Sequence, residues 1–193
     1  LNDQIEIALK TPGKLLIVYG YSKSGKTTLV QNKVIQHYKQ YIASPCARDT
    51  TFQGLLEDAF DQLGQYFVYE RKSSQKYGYE GGLGGNIGPV QLAFKSTQGK
   101  EGSSAQKRII EPVKSSRRLA QALKQANFCW IIEDFHKVEA EQKVILTDNL
   151  KIFFDQQAKV IALGAVNTAR QVLEINQEMK GRVSEVHVPL MLD

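Results

Sequence analysis

Between residues 20 and 28 the chain reads Gly20-Tyr21-Ser22-Lys23-Ser24-Gly25-Lys26-Thr27-Thr28, which fits the spacing G-x-x-x-x-G-K-[ST]. The chemistry of that spacing is anion capture. Backbone N–H groups converge on a phosphate only where the main chain can approach closely and adopt left-handed conformations, and Gly20 and Gly25 allow both. Lys26 is then the residue that reaches the β- and γ-phosphates. The Thr27 hydroxyl suits Mg²⁺, an ion shared between one or two protein oxygens, the phosphates and water. The pattern predicts a nucleoside triphosphate site over Gly20 to Thr28, with magnesium.

A second set of candidates follows the apolar run Phe128-Cys129-Trp130-Ile131-Ile132, which ends in Glu133-Asp134. Ligands of parallel sheets gather at the carboxyl ends of strands. By position, Glu133 is assigned to the magnesium ion and Asp134 to the attacking water of a hydrolytic site. His136 either contributes to this site or packs near the strand end. After the apolar run Lys159–Leu163 comes Asn167, which either contacts the γ-phosphate or the water, or forms a turn before a helix. Arg170 and Arg182 are the candidates for a charge-stabilising arginine, acting in the same chain or across a subunit interface. His37 and His187 show no ligand spacing and receive no role.

The elements that must position these residues are legible in the hydrophobic periodicity. A short helix over Ile5–Lys10 ends at Thr11-Pro12-Gly13 and precedes a first strand at Leu15–Tyr19. Lys26 to about Tyr38 reads as a helix whose positive dipole end points at the phosphates. A second strand fits Tyr41–Ala43. Phe52, Leu55, Leu56, Ala59, Phe60 and Leu63 mark the core face of a helix over 51–63. Further helices are expected over 115–125 and 140–156, and strands at 128–132, 159–163 and 183–188. Continuous apolar strands alternating with amphipathic helices predict an α/β fold with three layers and a mainly parallel sheet. The stretch 69–102 is rich in glycine before an alternating run, Val90–Phe94, and reads as a mobile insertion able to carry a hairpin.

Composition sets outer bounds. The 193 residues suit one domain, 42% of them are hydrophobic, and no stretch approaches the length of a membrane span, so no membrane partner is expected. Cys46 and Cys129 are far apart in sequence, which argues for a reducing, cytoplasmic setting. The chain starts without Met, which suggests a domain excised from something longer. Its net charge of +5 and pI of about 9.1 permit contact with nucleic acid. The densest basic patch runs from Lys107-Arg108 to Lys114-Ser115-Ser116-Arg117-Arg118, either a solvated helix face or a DNA surface.

The order of Gly20–Thr27, Ile132-Glu133-Asp134-Phe135-His136, Asn167 and Gly181-Arg182-Val183 resembles the AAA+ and STAND branches of the P-loop NTPases. It looks most like bacterial STAND-type ATPase domains and their origin-recognition-like relatives. On this resemblance Gly20–Thr27 is the Walker A element and Glu133-Asp134 the Walker B element, in the reverse of the usual Asp-then-Glu order. The resemblance implies a five-stranded sheet in the order 5-1-4-3-2, Asn167 as sensor 1, and ATP or ADP as the nucleotide. It also implies that ATP binding controls assembly of homo-oligomers, often in signalling or defence proteins. Such ATPases continue into a helical lid, whereas this sequence stops at Asp193, so weak turnover by the domain alone is expected. The leading expectation is a Mg-dependent ATP switch with slow hydrolysis that governs self-association. A DNA-associated ATPase, such as an initiator or transposition regulator, and a small-molecule kinase are the alternatives.

Overall fold

The computed structural model of the chain describes residues 1–76 and 114–190. Its first strand, β1 (Leu15–Gly20), forms where the sequence offers an uninterrupted apolar run, and Leu15, Leu16, Ile17 and Val18 are all fully buried. A strand buried on both faces needs cover on both faces. The helices divide accordingly. Helices α1 (Asn2–Lys10) and α2 (Lys26–His37) cover one face, where Ile5, Leu9, Val30 and Val34 pack with Leu16, Val18, Ile131 and Leu163. The other face carries α3 (Phe52–Lys76), α4 (Ser116–Ala126), α5 (Ala140–Asp155) and α6 (Thr168–Ile175), packed on Leu15, Ile17, Trp130, Ile132 and Val160.

The remaining strands are β2 (Gln40–Pro45), β3 (Phe128–Glu133), β4 (Lys159–Gly164) and β5 (Val183–Val188). Together they form a five-stranded sheet in the order β2-β3-β4-β1-β5, and all its pairings are parallel. This is the expected three-layer α/β/α arrangement, with the expected strand order read from the opposite edge. The register pairs Val18 with both Leu163 and Val186, and Ile131 with Ile161, so the carboxyl ends of β1, β3 and β4 finish along one edge. Whatever follows those strands shares that edge.

Two details fix the outer strand β2 and the face beneath it. The carboxamide of Gln62 from α3 accepts from the Ala43 N–H at 3.1 Å and donates to the Ala43 carbonyl at 2.8 Å. It satisfies main-chain groups that β3 does not reach, a device that also blunts an exposed sheet edge. The Trp130 indole N–H donates to Ser44 Oγ at 3.1 Å, and Ser44 donates to Asp58 at 2.6 Å, so the buried tryptophan is polar-satisfied as well as packed.

The largest departures from the expected boundaries are at α1 and α3. Helix α1 begins at Asn2, not Ile5. Helix α3 runs through Tyr69 to Lys76, where the insertion was expected to begin. The apolar spacing marked only the stretch up to Leu63. From Gln65 to Lys76 the sequence holds no Gly or Pro to stop the helix. The rest of the expected insertion, with its glycine cluster and the Val90–Phe94 hairpin, lies outside the described residues, as do Lys107 and Arg108.

Candidate functional site

The turn from β1 into α2 is built around two glycines, each for a different reason. A Cβ on Gly20 would sit 2.2 Å from the Val188 carbonyl oxygen of the neighbouring strand, so the main chain passes where no side chain fits. Gly25 is the N-cap of α2 with φ of +77°, the left-handed region that favours glycine. Between them Lys23 is also left-handed, at φ of 62°. No side chain caps α2, so its leading N–H groups lack intrahelical partners and face outward from the positive end of the helix dipole. Tyr21, Ser22, Lys23, Thr27 and Thr28 are exposed, and Ser24 is half-buried.

The Lys26 side chain folds back over this loop. Its ammonium donates to the Gly20 carbonyl at 3.1 Å, to the Tyr21 carbonyl at 2.5 Å and to Ser24 Oγ at 3.3 Å. Burial holds its pKa below the ordinary lysine value, and the charge of Asp134 acts in the opposite direction. Lys26 and Asp134 are therefore close enough to interact, although β4 stands between their strands.

Glu133 is the last residue of β3, half-buried, and its Oε1 is buried with no hydrogen-bond partner. Burial, and then the neighbouring charge of Asp134, raise its pKa above the usual carboxylate value. Asp134 takes the left-handed conformation at φ of 55° and receives a 2.6 Å ion pair from Lys137 across a single 3-10 turn, Phe135–Lys137. His136 lies in that turn with its Nδ1 buried and unpartnered. Burial lowers its pKa, Asp134 works against that, and Lys137, Lys143 and Lys26 reinforce it. His136 thus belongs to the electrostatic environment of Asp134 and does not hydrogen-bond through Nδ1.

After β4 the chain turns tightly at Gly164, where a Cβ would meet Thr168 Oγ1 at 1.9 Å. Thr168 occupies that space and donates to the Ala165 carbonyl at 2.7 Å. Asn167, exposed in the turn, does not cap α6 with its side chain, which leaves its carboxamide uncommitted as a cap at the same sheet edge as the acids. The Gly20–Thr28 loop, Glu133-Asp134 and Asn167 are therefore brought to one edge.

The arginines are not brought there equally. Arg170, on α6, pairs with Glu174 at 2.7 Å in the open. Arg182 precedes β5, and its carbonyl accepts from the Leu15 N–H at 2.9 Å, at the start of β1. Because β5 runs parallel to β1, Arg182 sits at the amino end of the sheet, away from the loop, and pairs with Asp155 at 3.3 Å. Within one chain it does not reach the acids. A cavity of about 350 Å³ also opens at that amino end, beside Tyr38, Asn127 and Lys159, and none of the predicted site residues lines it.

Other placements are plainer. His187 stacks obliquely on Tyr19 with ring centroids 5.3 Å apart. Arg117 and Arg118 are exposed on α4, and Lys114 pairs with Asp61 at 3.4 Å. Cys46 and Cys129 are both free thiols. No helix among the described residues is long and apolar enough to cross a membrane. Two residues near the site were not anticipated. Lys137 had a signal, its spacing of three from Asp134, whereas Lys143 had none.

No protein-family model matches the chain, and a search of curated proteins finds no match either.

Proposed function

We propose that the chain is a P-loop nucleotide switch that binds MgATP, hydrolyses it slowly and uses the nucleotide state to control self-association. The observation that carries this reading is the juxtaposition at one sheet edge: an uncapped helix start behind the Gly20–Thr28 loop, and across from it a carboxylate whose Oε1 has no partner. Successive N–H groups of such a loop, with the helix dipole behind them, form a site for a polyphosphate. Lys26 already points its ammonium across the loop, and would exchange the Gly20 and Tyr21 carbonyls for phosphate oxygens, a stronger charge-assisted pairing.

The donor set also fits a magnesium ion. Among the described residues no group of three or more His, Cys, Asp or Glu side chains forms a metal cage. Mg²⁺ does not need one, since it takes most of its ligands from phosphates and water. Thr27 and Glu133 supply hard oxygens of the right kind, and the unpartnered Oε1 is a lone-pair site in need of a cation. The ion, when bound, would neutralise charge developing between the β- and γ-phosphates. Asp134, held by Lys137, would orient the attacking water, and the Asn167 carboxamide would report on the γ-phosphate. ATP as the base-bearing nucleotide, and oligomerisation as the output, come from the resemblance to STAND-type ATPases.

Calorimetric titration with ATP and ADP, with and without magnesium, tests this reading alongside Lys26→Ala. The expected result is triphosphate binding that weakens at least about a hundredfold in the variant, roughly 2.7 kcal/mol, with its melting temperature unchanged. Sedimentation of the wild type should show a larger species with MgATP than with ADP. A well-folded wild type that binds neither nucleotide would remove the proposal.

A further inference from the structure

Lys143 lies in the first turns of α5 and is only 8% exposed. Buried lysines are rare unless paired, yet among the described residues no carboxylate forms an ion pair with this one. Its ammonium donates instead to the His136 carbonyl at 2.9 Å and to Gln171 Oε1 at 3.4 Å, and lies 6.0 Å from the centroid of the Phe135 ring. Those partners belong to two connections. Phe135 and His136 form the turn that follows the acids, while Gln171 belongs to α6, which starts directly after Asn167.

The turn needs outside support. Asp134 is left-handed, a conformation costing a non-glycine residue on the order of 1 kcal/mol or more. It is closed by the Lys137 N–H, which shares a peptide unit with the carbonyl that Lys143 holds and donates to the Asp134 carbonyl at 2.8 Å. A methionine of similar length would fill the same space without desolvating a charge, and burial does hold the lysine below its ordinary pKa. What the methionine could not do is tie the turn after β3 to the helix after β4.

We infer that Lys143 is a positioning residue for the hydrolytic step, fixing the Asp134 turn by holding the His136 carbonyl and locking it to α6 through Gln171. The inference rests on the nucleotide-hydrolysing reading of this site, and its test separates the two. In the nucleotide-free chain, amide exchange at Lys137 and Val138 should quicken at least about tenfold in Lys143→Met, with the β3 amides still protected, and Lys143→Arg should restore much of the protection. In single-turnover assays with MgATP, Lys143→Met should lower the hydrolysis rate at least about tenfold while leaving the affinity within about twofold, and Lys143→Arg should recover part of the rate. Gln171→Leu, which removes only the second tether, should give a smaller loss in the same direction. Unchanged exchange of the turn, or a folded Lys143→Met that hydrolyses like wild type, overturns the inference, as does a parallel loss of affinity and rate. A wild type without nucleotide binding overturns the proposed function itself, and the catalytic part of this inference with it.

Discussion

At the amino end of β4 the Lys159 ammonium, 3% exposed, donates to three carbonyls, those of Ala8 at 2.6 Å, Thr11 at 3.0 Å and Lys14 at 3.2 Å. At the carboxyl end of the adjacent β3, Glu133 Oε1 and His136 Nδ1 are buried with no partner. The carbonyls around Lys159 are therefore satisfied, whereas polar groups after β3 are left open. Left-handed residues do not follow this division: Lys23, Gly25 and Asp134 lie in turns of the carboxyl edge, and Gly13, Asn127, Gln157 and Gly181 in turns of the amino end. At the amino end His37 Nε2 also lacks a hydrogen-bond partner, 3.9 Å from Glu6, so the contrast rests on Lys159 against Glu133 and His136. On the proposed function, Glu133 Oε1 and His136 Nδ1 stay open because satisfying them in advance would leave nothing for the ligand to improve.

The largest effect should come from breaking the satisfied end. Lys159→Ala removes one ammonium and strands three carbonyls that tie α1 and the α1–β1 connection to β4. An unmet buried polar group costs about 1–3 kcal/mol, so a loss of about 3 kcal/mol or more in denaturant unfolding is expected. Nucleotide affinity per folded molecule should not change, since the lysine is at the far end of the sheet. A loss below about 1 kcal/mol, or affinity that falls with stability, would dissolve the contrast between the two ends.

Much of this contrast was legible in the sequence on one side and invisible on the other. The strands announced themselves because β1, β3 and β4 are buried on both faces and read as continuous apolar runs, and the carboxyl-edge residues follow directly from where those runs stop. Glu133-Asp134 needed only that reasoning, and the Gly20–Thr28 loop was read from its own G-x-x-x-x-G-K-[ST] spacing. The strand order came with the family resemblance, since periodicity alone does not order a parallel sheet. Lys159 and Lys143 were not found, because their partners are main-chain carbonyls or a glutamine brought close by folding; those of Lys159 lie 145 to 151 residues away. A backbone carbonyl has no signature in the residue that bears it. Arg182 shows a related limit: its neighbourhood of Gly181 and Val183 suggested a role, but strand direction puts it at the amino end of the sheet, away from the acids of its own chain.

The intermediate effect belongs to the open end. Asp134→Asn keeps a residue that tolerates the left-handed conformation and removes the charge facing Lys137 and Lys26. The exposed ion pair with Lys137 contributes no more than about 1 kcal/mol, so the fold should hold. Turnover of MgATP should fall about tenfold or more, with affinity nearly unchanged. Normal hydrolysis by the variant would move the water-orienting role to another group, and Glu133 or His136 would then be the next to test.

The smallest and most discriminating effect is expected at Glu133, where function and stability should move in opposite directions. Its folded pKa is raised above the unfolded value, chiefly by burial, so the native state binds its proton more tightly than the unfolded chain does. Stability from this group is therefore highest in acid and declines as pH rises from the unfolded pKa through the folded one, and at pH 7 the full penalty applies. Glu133→Gln keeps the shape, removes the charge and should stabilise the nucleotide-free chain at pH 7 by about 0.5–1 kcal/mol. That is the low end of the cost of an unsatisfied buried group, because the carboxyl is half-exposed. The gain should shrink as pH falls and vanish only below the ordinary carboxylate value of 4.5, while magnesium-dependent binding and turnover weaken at pH 7. Unfolding curves of both proteins from pH 4 to 8 measure it directly. A variant that is less stable at pH 7 would mean that Glu133 is a structural group like Lys159, and that the open polar group at this edge is not held there for a ligand.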